Sequence, residues 1–341
     1  MFTVESYVVA VLMCVITMLC WGSWANTQKL ASKEWKFQLF YWDYCIGILL
    51  TTLLLAFTLG SVGEQGRPFM EDVRQADAQY LQSAFVGGVI FNFANILLVV
   101  AIDIAGMSVA FPVGIGLALA LGVIDNYRNQ PDTYTMELLF AGVACVAAAI
   151  VVNALAYRRL STDKKATALG VIISVVCGVS MGFFYGRVAA AISGDMVNPE
   201  AGKLTPYTAL VLFSLGLLLS NFLFNWVAMK WTVSGEKVNA IDYFTKGNPR
   251  LHLVGILGGC IWGIGMSFSM IAGDAAGYAI SYGLGQGATL VAAFWGVFIW
   301  REFKSAPEGT NTYLAAMFVF YIIGLGLIIG ANKEVFGGAA T

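Results

Sequence analysis

Ten long apolar runs constrain the fold of this 341-residue chain more than any other feature. A run of about 20 apolar residues can cross the hydrocarbon core of a bilayer as one α-helix. Lipid offers the backbone no hydrogen bonds, so only helices and closed barrels cross it. Continuous runs without alternation of apolar and polar residues exclude the barrel. The sequence therefore predicts an all-α polytopic membrane protein with ten transmembrane helices, at residues 7–26, 38–60, 81–102, 106–124, 136–157, 166–191, 206–229, 252–273, 277–300 and 312–331.

Composition agrees with this class. Hydrophobic residues make up 59% of the chain and charged residues only 11%, against roughly 25% charged residues in soluble domains. The net charge of −1 provides no basic field for nucleic acid. The six cysteines lie inside apolar runs without metal-ligand spacing, so we expect buried thiols and neither metal nor cofactor. Glu5 is the only charged residue before the first run. A signal peptide has a positively charged segment there, so the sequence favours a transmembrane helix over a cleaved signal peptide.

An internal repeat relates the two halves of the chain. The glycines and aspartates of residues 87–116 recur in residues 258–287 at a constant displacement of 171 positions. Pro112 falls on Gly283, so a helix-weakening residue occupies the same position in both copies. Corresponding interruptions in two repeats are typical of the central site of a secondary transporter.

Five helices per half is an odd number, so the second half enters the membrane in the opposite direction. We therefore predict an inverted repeat with units 1–160 and 161–341, divided within the basic loop 158–165. The expected cavity lies between the units and is lined by helices 1–4 and 6–9.

The distribution of basic residues predicts the orientation, because cytoplasmic loops are rich in Lys and Arg. One side of the membrane carries 13 of them: Lys29, Lys33, Lys36, Arg158, Arg159, Lys164, Lys165, Lys230, Lys237, Lys246, Arg250, Arg301 and Lys304. The other side carries 5: Arg67, Arg74, Arg128, Lys203 and Lys333. Both termini are therefore expected on the same, outer side.

Two ionisable residues inside the runs need a reason to be there, since a charge at the bilayer centre costs about 2.5–3.5 kcal/mol on insertion scales. Asp43 is either a proton acceptor facing the cavity or an interfacial carboxylate near a helix N-terminus. Arg187 either pairs with a carboxylate, binds a carbonyl of the substrate, or extends towards the headgroups. Asp103 and Asp274 fall in the two predicted hairpin turns, where we expect them to cap the following helices.

Polar amides in the middle of the runs are candidates for solute contact. Each must find a hydrogen-bond partner on another helix or on a bound solute. The candidates are Asn92, Asn95 and Gln286, with the neighbouring pair Asn221 and Asn225. Aromatic residues recur near the same level, and Phe111 and Tyr282 stand out because they precede Pro112 and Gly283. The aromatic set is Trp21, Trp24, Tyr41, Phe111, Tyr185, Trp262 and Tyr282.

Catalytic patterns find little support. The chain has one histidine, His252, at the start of the eighth run, where a role at the helix end is the simpler interpretation. No zinc motif, phosphate-binding loop or Cys-X-X-Cys pair occurs. We therefore expect a protein that is not an enzyme.

A set of short motifs is spread over nearly the whole chain: Trp21-Gly-Ser-Trp24, Tyr41-Trp-Asp43-Tyr44, Gly87-Gly88, Ala94-Asn95, Asn225, Ala275-Ala-Gly277-Tyr-Ala, Phe294-Trp-Gly296 and Glu302. Together these motifs resemble those of the ureide permease family. The resemblance implies the ten-helix inverted repeat of the drug/metabolite transporter superfamily, which includes glucose/ribose and rhamnose porters. It also implies proton-coupled uptake of small neutral heterocycles such as allantoin or uracil.

Carried over by position, the resemblance makes Asp43 the coupling carboxylate and places Asn95, Asn225, Trp21 and Trp24 near the pathway. Arg187 and Gln286 depart from the family pattern. Other functions remain open: a proton-coupled sugar symporter of the same fold, a drug or metabolite exporter, or a membrane receptor that does not transport. The expected partners are a small polar solute, protons or Na⁺, and the lipid of a bacterial inner membrane, with the chain a monomer or homodimer.

Overall fold

The computed structural model describes residues 1–31, 34–160, 167–230 and 237–333. Within these residues, ten helices are long and apolar enough to cross a membrane, and no strand occurs. They are α1 (Tyr7–Ala31), α2 (Phe37–Phe57), α3 (Ala78–Ala105), α4 (Met107–Asn129), α5 (Met136–Arg158), α6 (Ala168–Ala189), α7 (Pro206–Lys230), α8 (Pro249–Ala276), α9 (Tyr278–Ile299) and α10 (Thr310–Ile329). The ten predicted helices are confirmed. The basic loop predicted to divide the halves continues into residues 161–166, which lie outside the described residues.

Two hairpins with matching turns join α3 to α4 and α8 to α9. Gly106 and Gly277 occupy the turns with φ angles of 78° and 82°, a conformation in which a side chain would be strained. The tight turns predicted from sequence are thus present. Asp103 and Asp274 lie in the last turn of the preceding helix, and a glycine immediately precedes the next helix. The capping role of the two aspartates stays a prediction.

Glycines allow two pairs of helices to pack at backbone distance. A Cβ atom on Gly88 of α3 would lie 1.9 Å from the carbonyl oxygen of Phe213 on α7. A Cβ atom on Gly259 of α8 would lie 2.0 Å from the carbonyl oxygen of Tyr44 on α2. Small residues allow such close contact in membranes, where packing rather than hydrophobicity holds helices together. Helices α5 and α10 pack against each other.

Packed loops cover one end of the bundle, here called the sealed end, where α1 begins. Arg67 lies 3.0 Å from Asp72 and also donates hydrogen bonds to main-chain carbonyls of residues 199–203. The buried Asp72 accepts further hydrogen bonds from the backbone N–H and hydroxyl of Thr205, at 2.8 and 3.0 Å. These bonds fasten the α2–α3 connection to the α6–α7 connection. The opposite end is called the cavity end.

Helices α4 and α9 are irregular in their middle parts. In α4 a π-helical turn spans Phe111–Ile115 and includes Pro112. In α9 the regular segment Tyr278–Gly285 is followed by a break at Gln286 and Gly287 before the helix resumes. Gly283 itself lies within the regular segment, so the interruption of α9 falls three residues beyond it. Both irregular turns lie beside the cavity described next.

Candidate functional site

A cavity of about 760 Å³ runs from the middle of the bundle to the cavity end. This volume lies within the range of about 300–1,000 Å³ that is typical of small-molecule sites. Helices α1–α4 and α6–α9 all contribute to its wall, the same eight helices that the sequence predicts. Lys36 and Val238 line it at the cavity end, where the α1–α2 and α7–α8 connections lie. Within the described residues, this cavity opens towards the cavity end.

Six of the eleven residues proposed from sequence for substrate contact line this cavity. They are Trp21, Trp24, Asn95, Phe111, Trp262 and Gln286. They come from α1, α3, α4, α8 and α9, which the fold brings together around the cavity. The interrupted turns of α4 and α9 contribute Phe111 and Gln286.

A cluster of aromatic rings forms the deep wall of the cavity. The Trp21 and Trp262 rings stack with centroids 5.6 Å apart and planes 11° apart. Phe91 packs on the same Trp262 ring at 4.5 Å, and Phe213 stacks on it at 5.9 Å. Trp262 is 4% exposed and lies within the cluster, whereas Trp21 is only partly buried. Trp21 is thus the ring of this pair that presents more surface.

Two glycines hold the Trp21 ring at its edges. A Cβ atom on Gly265 of α8 would lie 2.8 Å from Cδ1 of the Trp21 ring. A Cβ atom on Gly285 of α9 would lie 2.7 Å from its Cζ3 atom. The ring therefore fills the space that these two missing side chains leave, and its position depends on both helices.

The amide of Asn95 is oriented by a neighbouring tyrosine. Its Nδ2 atom donates to the hydroxyl of Tyr41 at 3.1 Å, and Tyr41 is fully buried outside the cavity lining. Tyr41 therefore positions a lining residue and is not itself part of the wall. Gln286 lies at the break of α9, where its main-chain carbonyl accepts a 2.9 Å hydrogen bond from the Thr289 hydroxyl.

The other four residues proposed for substrate contact join helices. Tyr185 forms hydrogen bonds with Ser269 and Ser281 at 2.8 and 3.2 Å, and so links α6 to α8 and α9. Tyr282 donates to backbone carbonyls of α4 and α6 at 3.2 and 3.3 Å. Asn92 and Asn225 donate to Ser220 and to the carbonyl of Gln38, both at 2.8 Å. None of the four lies among the lining residues described here.

Asp43 lies beside the cavity and is 1% exposed. Its carboxylate accepts hydrogen bonds from the Trp35 indole at 3.3 Å and from the Tyr243 hydroxyl at 2.5 Å. Nδ1 of His252 lies 3.0 and 3.1 Å from the two carboxylate oxygens. A Cβ atom on Gly255 would lie 2.4 Å from Cβ of Asp43, so this glycine makes room for the side chain.

Arg187, the possible charge partner predicted from sequence, is exposed near the sealed end of α6 and interacts electrostatically with the Asp125 carboxylate of α4. Asp43 lies near the cavity end of α2, far from Arg187 along the bundle. The partner of Asp43 is His252, three residues inside α8. The sequence contained a signal for this pairing, since Asp43 and the sole histidine both follow closely on the starts of apolar runs that cross the membrane in the same direction.

Tyr243 lies outside the transmembrane helices, in the short helix Asp242–Thr245 of the α7–α8 connection. Burial, together with the adjacent Asp43 carboxylate, raises the pKa of its hydroxyl well above the ordinary value. The hydroxyl consequently keeps its proton and donates to Asp43. Tyr243 and Trp35 were not predicted, because only the fold brings these connections over α2.

A membrane bundle of ten helices around a cavity open to one end is the architecture of a solute carrier. The protein is an integral membrane protein, and the family that its sequence matches agrees with this class. The chain belongs to the ureide permease family, whose model matches residues 40–168 and 155–331. The family resemblance predicted from the motifs is thereby confirmed.

Individual relatives extend the match over almost the full chain. Ureide permease 1 of Arabidopsis thaliana is 22% identical over 97% of this chain and 99% of its own length. Ureide permease 2 of the same plant is 23% identical over the same shares of the two proteins. A probable ureide permease of Vigna unguiculata is 21% identical over 90% of this chain. These relatives are named as permeases rather than enzymes, which confirms that expectation.

A solved crystal structure shares the fold. It superposes with a TM-score of 0.60 and covers 93% of this chain and 95% of the other, at 16% sequence identity. At this identity the likeness concerns the arrangement of the helices alone.

Proposed function

We propose that the protein is a secondary active transporter that takes up a small neutral polar heterocycle, a ureide or nucleobase such as allantoin or uracil, together with a proton. The character of the cavity wall carries the proposal. Its deep part combines aromatic faces with the amides of Asn95 and Gln286. Among the described lining residues, the ionisable side chains are Lys36 and Asp103, both at the cavity end. Such a wall suits an uncharged ring with carbonyl and N–H groups.

The aromatic wall determines how such a ring would bind. Stacking of a heterocyclic base on an aromatic side chain contributes about 1–3 kcal/mol. Carbon atoms in contact lie about 3.5–4.0 Å apart, so a ring inserted between two others requires about 7 Å between them. The ring centroids of Trp21 and Trp262 are 5.6 Å apart, which leaves no room for a third ring between them. The solute therefore stacks on the face of Trp21 that is turned to the cavity, with its polar edge towards the amides.

We propose alternating access by two inverted five-helix units, 1–160 and 161–341. Matched contacts support the proposal: α1 packs on α8 as α6 packs on α3, and α2 packs on α8 as α7 packs on α3. The close crossings at Gly88 and Gly259 and the turns at Gly106 and Gly277 correspond as well, each pair separated by 171 residues. Rocking of the units would open the sealed end as it closes the cavity end.

A proton at Asp43 supplies the driving force in this proposal. One elementary charge moving through the membrane potential yields about 2.3 kcal/mol per 100 mV. At 1.36 kcal/mol per factor of ten, this corresponds to roughly 50-fold accumulation. The burial of Asp43 among hydrogen-bond donors supports this role. A carboxylate inside a membrane costs free energy, so its presence there indicates a function. We place the protein in a bacterial inner membrane and in the drug/metabolite transporter superfamily, in line with its sequence motifs.

Uptake into proteoliposomes tests the substrate class. We expect labelled allantoin or uracil to accumulate under an inward proton gradient, and unlabelled heterocycles to compete better than glucose, ribose or rhamnose. Trp21→Ala should weaken uptake strongly. Trp226→Ala is the matched control, because this tryptophan is 51% exposed on the outer surface of the bundle. Competition by sugars alone would replace the proposal with a sugar symporter, and binding without flux would indicate a receptor.

A further inference from the structure

Four side chains from four segments meet around the Asp43 carboxylate and are here called the Asp43 cluster. Trp35 comes from the α1–α2 connection, Asp43 from α2, Tyr243 from the α7–α8 connection and His252 from α8. The His252 ring is enclosed by the Tyr243 and Trp35 rings, with centroids 4.7 and 5.3 Å away. The carboxylate, the imidazole and their two aromatic neighbours thus form one packed unit.

The members of the cluster differ sharply in exposure. The Asp43 side chain is 1% exposed and Trp35 is fully buried, whereas the His252 side chain is 28% exposed. Water therefore reaches the imidazole more readily than the carboxylate. A proton that enters or leaves the Asp43 carboxylate therefore passes through a neighbouring side chain that contacts both the carboxylate and water.

The chemistry of the three neighbours selects one of them for this role. The indole of Trp35 donates a hydrogen bond but does not titrate. The Tyr243 hydroxyl keeps its proton, for the reasons given above. Histidine is the side chain that ordinarily changes charge between about pH 5 and 8. Of these neighbours, His252 alone combines exposure and contact with Asp43 with a ring that can accept a proton on one nitrogen and donate one from the other.

We propose that His252 is the proton carrier of Asp43, a role that rests on the proposed proton coupling at that residue. A hydronium ion gives its proton to Nε2 of the neutral ring, whose own hydrogen is on Nδ1, and leaves water and an imidazolium with a hydrogen on each nitrogen. The Nδ1 proton then passes across the 3.0 Å contact to the Asp43 carboxylate. The ring is left neutral, with its hydrogen on Nε2, and the carboxyl is neutral. The reverse sequence releases the proton.

Other charged groups of these segments are already paired or turned to solvent. On the α7–α8 connection Asp242 pairs with Lys246 at 3.0 Å, and Lys237 is exposed. Arg250, two residues before His252, is exposed as well. Glu34 and Lys36 flank Trp35 and are exposed, while Cys45 is buried on α2 two residues beyond Asp43. Of the described groups, Asp43 and Tyr243 are the titratable ones that contact the imidazole.

The cluster also connects the proton to the mouth of the cavity. Lys36 adjoins Trp35, and Val238 lies five residues before Tyr243; both line the cavity. An ionised Asp43 accepts hydrogen bonds on both oxygens, whereas the protonated form carries a donor on one of them. After the transfer that donor faces the unprotonated Nδ1 of His252, so the 3.0 Å contact persists and its direction reverses beside the mouth of the cavity.

Proton flux in proteoliposomes with an internal pH dye tests the proposal. His252→Asn keeps an N–H donor near the Nδ1 position but cannot titrate. We expect it to slow substrate-driven proton entry by about 100-fold, the lower range for general acid–base groups, and to flatten the pH profile of uptake. Arg250→Gln, which alters an exposed cation one half-turn away, is the matched control and should behave as wild type.

Chemical modification provides a second readout on the wild-type chain. His252 is the sole histidine, so diethyl pyrocarbonate blocks one imidazole when the purification tag contains none. Proton-driven uptake should fall and should return after hydroxylamine removes the adduct. A His252→Asn protein with wild-type proton flux and pH profile would overturn the proposal. If the wild-type protein moved no heterocycle or no proton, the proposed function would be the part that fails.

Discussion

The position of Trp21 depends on a glycine of α9, and this dependence leads to a sharp prediction. Gly285→Ala would place a Cβ atom 2.7 Å from Cζ3 of the Trp21 ring. Non-bonded carbon atoms approach no closer than about 3.5 Å without strain. The ring would therefore have to move by about 0.8 Å, or α9 would have to withdraw from α1 by a similar amount.

The magnitude follows from the cost of overpacking, which is about 1–3 kcal/mol. If the ring relieves this strain by leaving its position on the wall, the whole cost falls on substrate binding. At about 1.4 kcal/mol per factor of ten, the dissociation constant rises about 5- to 150-fold. Gly283→Ala is the matched control, since the nearest atoms to its Cβ lie 3.5 Å away on Ile328. Both substitutions add one methyl group to the same helix.

Equilibrium binding of labelled uracil or allantoin to purified protein measures the effect, and thermal denaturation shows whether each variant is folded. We expect Gly285→Ala to melt cooperatively and bind weakly, with Gly283→Ala close to wild type in both measurements. If both variants bound the solute as tightly as the wild-type protein, Trp21 would not be the stacking surface. If both lost binding equally, the loss would come from α9 as a whole rather than from the contact with the ring.

Three further predictions concern other parts of the molecule. Asp43→Asn should abolish proton-driven accumulation but leave substrate exchange at equal pH; unchanged pH-dependent uptake would reject the coupling role. Tyr41→Phe removes the acceptor of Asn95 and should weaken binding by about 0.5–1.5 kcal/mol, measured as a higher dissociation constant at unchanged melting temperature. Backbone N–H groups hold the pKa of the exposed Asp195 carboxyl below its ordinary value of 3.8, so its stabilising effect is present above that pH and is lost as the pH falls through the lowered pKa. Amide exchange at Val197 should accelerate there, after correction for intrinsic rates, and Asp195→Asn should remove this pH dependence.

Helix number and extent were predictable because they follow from local properties. A run of apolar residues long enough to span a bilayer has few alternatives, whatever surrounds it. The hairpin turns at Gly106 and Gly277 were predictable for the same reason. Whether Asp103 and Asp274 belong to the preceding or to the following helix was not predictable, since a carboxylate near a turn can lie at either of two helix ends.

The candidate site was predictable only in part. Trp21, Asn95 and Gln286 line the cavity, whereas Tyr185 and Tyr282 carry the same signal of a polar or aromatic side chain in an apolar run and bridge helices instead. An apolar transmembrane helix has no strong polar face, so its sequence does not reveal which side is turned inward.

The sequence by itself determined that the chain crosses a membrane ten times, repeats its pattern after 171 residues and belongs among the ureide permeases. These properties reside in residue order and hydropathy. Only the tertiary structure decided that Asp43 meets His252, 209 residues further along the chain, and that Trp21 rests between glycines of α8 and α9. Such contacts depend on helix rotation and crossing, which backbone-distance packing sets to within a few ångströms and which no local pattern encodes.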